Sequence, residues 1–170
     1  MRVWLAFALG MLCSNSAWAG VQASASDQLA FVYDVELAGP PPEAWKHVVD
    51  IAAWWSSEHT YSGQARNLSL DVRPGGCWCE TWANGGVEHA RVLIAIPGKA
   101  LRIEGGFGPL QGMAVQATMT FTLKPAADPT KTQLHVVYLV NGASESKLDA
   151  LAGPVDGVLA TQFGRLAALK

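Results

Sequence analysis

Glu80 and His89 flank Asn84-Gly85, a dipeptide that strongly signals a β-hairpin. With Ala83 to Gly86 as the turn, Trp82 faces Val87, Glu80 faces His89 and Trp78 faces Arg91. Cross-strand partners share a face, so one face carries Trp78, Glu80, Trp82, His89 and Arg91. A carboxylate beside an imidazole raises its pKa and positions its proton. A guanidinium over an indole makes a cation–π contact. Facing a cavity, this set is a polar handle within aromatic walls. It could hold a carboxylate or a hydroxyl, or pass a proton, with Glu80 and His89 as the candidate catalytic acid and base. Facing water, it is an ordinary charged sheet surface, and a one-residue slip moves His89 and Arg91 to the opposite face.

A second polar group follows Trp54-Trp55 in the loop from Ser57 to Gln64. Loops at a cavity mouth often carry binding groups, so Trp55, His59 and Tyr61 join the ligand-binding candidates. His47 and His135 read as packing or surface residues. Cys77 and Cys79 sit two apart in a strand, near the outer limit of bridging distance. Either a strained local bridge or a pair of half-buried thiols fits them, and neither makes a disulfide framework. One C-x-C without a spaced His pair falls short of a four-ligand zinc site, so no metal is expected. There is no G-x-S-x-G elbow, no P-loop and no G-x-G-x-x-G after a strand, hence no expected cofactor.

These residues need elements to hold them. Phe31 to Leu37 alternates as a strand. Gly39-Pro40-Pro41-Pro42 breaks it, and short helices fit Glu43–Val49 and Ile51 to about Ser56. Strands are predicted over 66–72, 77–82, 87–96, 100–104, 113–123 and 133–141. A Gly-rich loop, 105–112, carries Phe107, a further ligand-binding candidate. From Pro154 to Lys170, apolar residues fall at helical spacing: Val155, Val158, Leu159, Phe163, Leu166 and Leu169. The fold class is α+β, a curved antiparallel sheet of about seven strands wrapped on one long C-terminal helix. One helix cannot cover a whole sheet face, and such gaps hold apolar ligands. Trp78, Trp82, Met113 and Phe163 are the predicted walls.

The first nineteen residues bear on where this happens. Arg2, the apolar run Val3 to Leu12 and Ala17-Trp18-Ala19 make a secretory signal peptide, too short to span a bilayer as a helix. The expected divisions are a signal at 1–19, a flexible leader at 20–28 and one domain at 29–170, periplasmic or secreted and monomeric, with no membrane span after cleavage. The formal charge is −2, or −3 once Arg2 leaves, and the bases are scattered. No basic stripe is present to displace phosphate counterions, so nucleic acid is not an expected partner. Charged residues make up only 15% against 50% hydrophobic, and the five tryptophans beyond the leader all fall between Trp45 and Trp82. Either the core is large for the chain length, or apolar side chains also line a cavity.

Pro42-Glu43-Ala44-Trp45, Trp54-Trp55, Arg73-Pro74-Gly75-Gly76-Cys77-Trp78 and Ile96-Pro97-Gly98-Lys99-Ala100-Leu101 carry a resemblance over residues 29–170. The chain resembles the SRPBCC superfamily, the START and birch-pollen-allergen-like helix-grip proteins. More narrowly it resembles the branch named for activators of the heat-shock-protein-90 ATPase, in a secreted bacterial subgroup. That resemblance implies a helix-grip fold shared by ligand carriers, cyclases and chaperone activators. The leading expectation is a binding protein for a small, mostly apolar or amphipathic ligand. The alternatives are a small-molecule cyclase or dehydratase using Glu80 and His89, and a protein-interaction module.

Overall fold

The computed structural model describes residues 19–170. The expected signal at 1–19 therefore lies, save for Ala19, outside the described residues. The strands are β1 (Ala19–Ala25), β2 (Gln28–Ala38), β3 (Leu68–Leu70), β4 (Cys77–Trp82), β5 (Gly85–Ile96), β6 (Ala100–Glu104), β7 (Gln116–Pro125) and β8 (Lys131–Asn141). The helices are α1 (Pro41–Val49), α2 (Ile51–Trp54) and α3 (Ala152–Ala167). Among the described residues the strands form one antiparallel sheet in the order β1-β2-β8-β7-β6-β5-β4-β3.

Period-two alternation builds the inner face. Leu29, Phe31, Tyr33, Val35 and Leu37 of β2 are buried, as are Ala117, Met119, Phe121 and Leu123 of β7 and Leu134, Val136, Tyr138 and Val140 of β8. The outer face is wetter, with Thr118, Thr120 and Thr122 only partly covered and His135 paired to Asp34. Helix α3 presents Leu159, Phe163 and Leu166 at helical spacing to the inner face, packing against β1 and β2. It covers that end of the sheet and leaves the β4–β5 end to α2 and the loops.

Four elements depart from the sequence reading. The stretch 20–28, expected as a flexible leader, lies mostly in strand β1, where backbone pairing with β2 needs no large side chain. Strand β7 begins at Gln116, not Met113, because a 3₁₀ turn at Gly108–Gly112 and a left-handed Ala114 (φ 50°) occupy the preceding residues. Strand β3 is shortened to three residues by a 3₁₀ turn at Ala65–Asn67. In the β4–β5 hairpin, Trp82 pairs with Gly85, so the turn is Ala83-Asn84 and both glycines join the strand.

Candidate functional site

The hairpin builds the site. Its first pairs are Trp82 with Gly85, Thr81 with Gly86, Glu80 with Val87 and Cys79 with Glu88. The next pair is Trp78 with Ala90, so His89 is the extra residue of a β-bulge. Before the bulge, alternation puts Val87 and His89 on the face of Trp78 and Glu80. The bulge then reverses the phase. Ala90 also turns inward, and Arg91 falls opposite Cys77 on the outer face. His89 and Glu80 therefore share the inner face as expected, but diagonally and not as direct partners.

Glu80 is fully buried and His89 is 6% exposed. Glu80 Oε2 accepts the Tyr61 backbone N–H at 3.0 Å, and Oε1 accepts the Ser62 backbone N–H at 2.5 Å. His89 Nε2 lies 3.1 Å from Oε2. Burial pushes the Glu80 carboxyl up, but the hydrogen bonds from Ser62, Tyr61 and His89 outweigh it and hold the group below the usual carboxylate value. The carboxylate is ionised and acceptor-only, so the imidazole nitrogen facing it carries the proton. Burial likewise lowers the His89 pKa, and Glu80 offsets this only in part. This corrects the expected upward shift: desolvation of the ring exceeds the attraction of the carboxylate. At neutral pH the ring is neutral, with Nε2–H on Glu80. Nδ1 has no hydrogen-bond partner among the described residues.

An open cavity of about 300 Å³ adjoins this pair. The loop after α2 supplies Trp55, His59, Thr60 and Tyr61 to its wall, and β5 supplies His89. Phe107 to Leu110 close another side, Tyr138 comes from β8, and Pro154, Val155, Val158 and Leu159 come from α3. The loop is docked at both ends: Ser56 N–H donates to the buried Gln162 on α3 at 2.7 Å, and Tyr61 and Ser62 donate to Glu80. Across the rim, Tyr61 Oη donates to Gln111 Oε1 at 2.9 Å, and Gln111 Nε2 donates to the Glu88 carbonyl at 2.6 Å. Tyr138 Oη donates to the Gly105 carbonyl at 3.3 Å, and burial holds its pKa far above the usual tyrosine value. Among the described residues no group of His, Cys, Asp and Glu could hold a metal ion, and no helix is long and apolar enough to cross a membrane.

Of the sequence-derived candidates, Trp55, His59, Tyr61, Phe107 and His89 line the cavity. Glu80 stands behind His89. Trp78 is buried one layer back, its ring 5.3 Å from Trp55 and 5.1 Å from Phe107. Four candidates lie elsewhere. Arg91 is turned outward by the bulge and makes two 2.7 Å bonds to Glu88. Trp82 lies over Gly85 at the hairpin tip, where a Cβ on Gly85 would come within 2.8 Å of the indole. Met113 precedes β7 and packs on the core edge. Phe163 is enclosed by Tyr33, Trp54 and Phe121. The sequence reading did not assign Thr60, Pro109, Leu110, Tyr138, Val155, Val158 and Leu159 to the cavity. Only the helical spacing of the last three carried a signal, and it reads equally as core. Cys77 and Cys79 are joined by a disulfide on the outer face, their Cα atoms 5.3 Å apart.

No family model matches the sequence, and no curated protein matches it. Solved structures do match it. Protein MLL2253 of Mesorhizobium loti superposes with a TM-score of 0.56 at 18% identity, over 81% of this chain and 93% of that one. CalU16 of Micromonospora echinospora gives 0.51 at 12% identity, over 90% and 86%. DynU16, a protein of the dynemicin biosynthetic locus, gives 0.57 at 19% identity, over 83% of this chain and 46% of DynU16. The chain has the helix-grip fold. At these identities the likeness concerns the fold alone. Within the helix-grip frame, the cavity lies between the inner face of the sheet, at His89 and Tyr138, and the N-terminal half of α3.

Proposed function

We propose that this helix-grip domain binds a small, mostly apolar ligand in the cavity, with His89 as its polar seat. One observation carries the reading. In a wall made largely of Trp55, Phe107, Leu110, Val155, Val158 and Leu159, a buried imidazole has one nitrogen fixed on a buried carboxylate and the other without a protein partner. Among the described side-chain atoms only Gln162 Nε2 is buried without a partner, so Nδ1 is accessible, and an oriented lone pair on an apolar cavity wall suits a ligand that supplies a donor. The cavity volume lies at the lower end of the ligand-pocket range of about 300–1,000 Å³. DynU16, on the same fold, belongs to a biosynthetic locus, which is in keeping with a small-molecule role. The proposed setting is the periplasm or the exterior, after cleavage near Ala19-Gly20. Intact mass of the exported chain tests that, and a full-length chain recovered from the cytosol would overturn it.

Native mass spectrometry of the protein purified from its own host tests the binding. The expected result is a retained small molecule that dissociates on gas-phase activation. A ligand-free protein, together with no uptake of any two-ring aromatic compound in dialysis, would sink the reading.

The Glu80–His89 pair also supports a second reading, acid–base catalysis on the bound ligand. An oriented neutral imidazole with a free nitrogen is a competent general base. His89→Gln separates the two. A carrier loses at most one hydrogen bond, about 0.5–1.5 kcal/mol of affinity for a neutral pair. An enzyme keeps most of its binding while turnover falls about 100-fold or more.

A further inference from the structure

We infer that the cavity selects a neutral hydroxyl compound, a hydrogen-bond donor on a flat apolar skeleton, and rejects the carboxylate of the same skeleton. This rests on the binding role proposed above and specifies the chemistry of its ligand.

Three observations carry it. The first is the direction of the His89 hydrogen bond. Its Nε2–H is committed to Glu80, so Nδ1 offers a lone pair and no proton. A carboxylate has only lone pairs to offer in return. A hydroxyl has the proton that Nδ1 lacks.

The second is charge. The Glu80 carboxylate lies directly behind the imidazole and is itself enclosed by three donors. An anion seated at Nδ1 would face that charge across the ring and one contact distance on either side of it. At the effective dielectric of a partly buried site, such repulsion alone amounts to about 30-fold in affinity.

The third is the want of a countercharge. No Lys or Arg lines the cavity. The one arginine the sequence placed beside this handle, Arg91, is on the outer face and bound to Glu88. His59 stands at the exposed rim, where water and salt screen a charge contact. Burying an unpaired carboxylate among Trp55, Phe107 and Leu159 would add its desolvation to the repulsion. The flatness of the skeleton follows from the ring array. His89 and Phe107 lie nearly parallel, 12° apart with centroids 6.3 Å apart, and Tyr61 flanks the imidazole at 5.7 Å.

The test uses the unmodified protein and three probes of one size: 2-naphthol, 2-naphthoate and 2-methylnaphthalene, each in equilibrium dialysis at pH 7.5. The expected order is 2-naphthol about 5-fold or more tighter than 2-methylnaphthalene, and about 30-fold or more tighter than 2-naphthoate. In His89→Leu the preference for 2-naphthol over 2-methylnaphthalene should disappear. Equal binding of naphthol and naphthoate, or a preference for naphthoate, would overturn the selection and leave the cavity reading standing. Binding of none of the three would remove both.

Discussion

Replacing Glu80 with Gln keeps the size of the side chain and removes its charge. In the native site the carboxylate takes three hydrogen bonds, from the Tyr61 and Ser62 N–H groups and from His89 Nε2. An amide has one oxygen and one NH₂. With its oxygen toward Ser62, its NH₂ meets the Tyr61 N–H; with the orientation reversed, it meets the Ser62 N–H. Either way one buried donor loses its acceptor, which costs about 1–3 kcal/mol. The two surviving bonds become neutral, each weaker by about 1 kcal/mol, while relief of the desolvated charge returns part of this. The net expectation is a loss of about 3 kcal/mol at pH 7. For a domain of this size, about 2–4 °C per kcal/mol lowers the Tm by about 6–12 °C. Urea unfolding at pH 7 and pH 4 is the assay. The folded-state pKa of Glu80 is depressed, so its stabilisation is complete above the unfolded value near 4.5 and is lost as pH falls through the folded value. The deficit of the variant should therefore shrink on acidification. A variant as stable as the parent at pH 7, or a deficit that grows at pH 4, would refute an ionised, donor-enclosed Glu80.

Nitrogen-detected NMR at pH 7 should show His89 with Nε2 protonated and Nδ1 bare; an imidazolium there would contradict the tautomer assigned from Glu80. Because the folded His89 pKa lies below 6.5, its contribution to stability is full above that value and declines as pH falls through the folded value. Glu80, His59, Tyr61 and Tyr138 are the other titratable groups at this cavity, and His89→Gln should remove the part of the slope that begins near pH 6.5. A Cβ on Gly105 would come within 2.3 Å of the His89 carbonyl and 2.7 Å of the Ala90 Cβ, so Gly105→Ala should cost about 1–3 kcal/mol in thermal unfolding. Gly112→Ala, with nothing within 4 Å, should stay within about 0.5 kcal/mol, and equal effects of the two would count against a crowded bulge.

The sheet and its helix were legible because the pattern of one residue type survives folding unchanged. The alternation of Ala117, Met119, Phe121 and Leu123 and the spacing of Leu159, Phe163 and Leu166 both reappear as burial. The pairing of Glu80 with His89 was legible only in part. Counting by twos placed both on one face and carried Arg91 along with them, and nothing in the residue types announces a bulge that reverses the count at Ala90. The donors that hold Glu80 ionised were beyond reach for another reason. They are backbone N–H groups of Tyr61 and Ser62, which every residue but proline has, and only the path of the loop brings them to the carboxylate. Strand β1 escaped notice because its small residues carry no burial signal and its pairing is made by the main chain.

The extra residue at 89 also governs how this chain can change over evolutionary time. Upstream of it, the inward positions of β5 are the odd-numbered ones, Val87 and His89; just downstream they are even, Ala90 and Val92, until a second irregularity between Val92 and Ile94 shifts the count again. Deleting a single residue near this point would restore regular pairing and take the imidazole from the inner face, while Val87 on one arm and Ala90 and Val92 on the other kept their sides. Lineages that keep this seat should therefore accept many replacements along β5 and almost no change in its length. Two homologues of equal spelling but unequal count between Gly86 and Val92 would hold different side chains against the cavity.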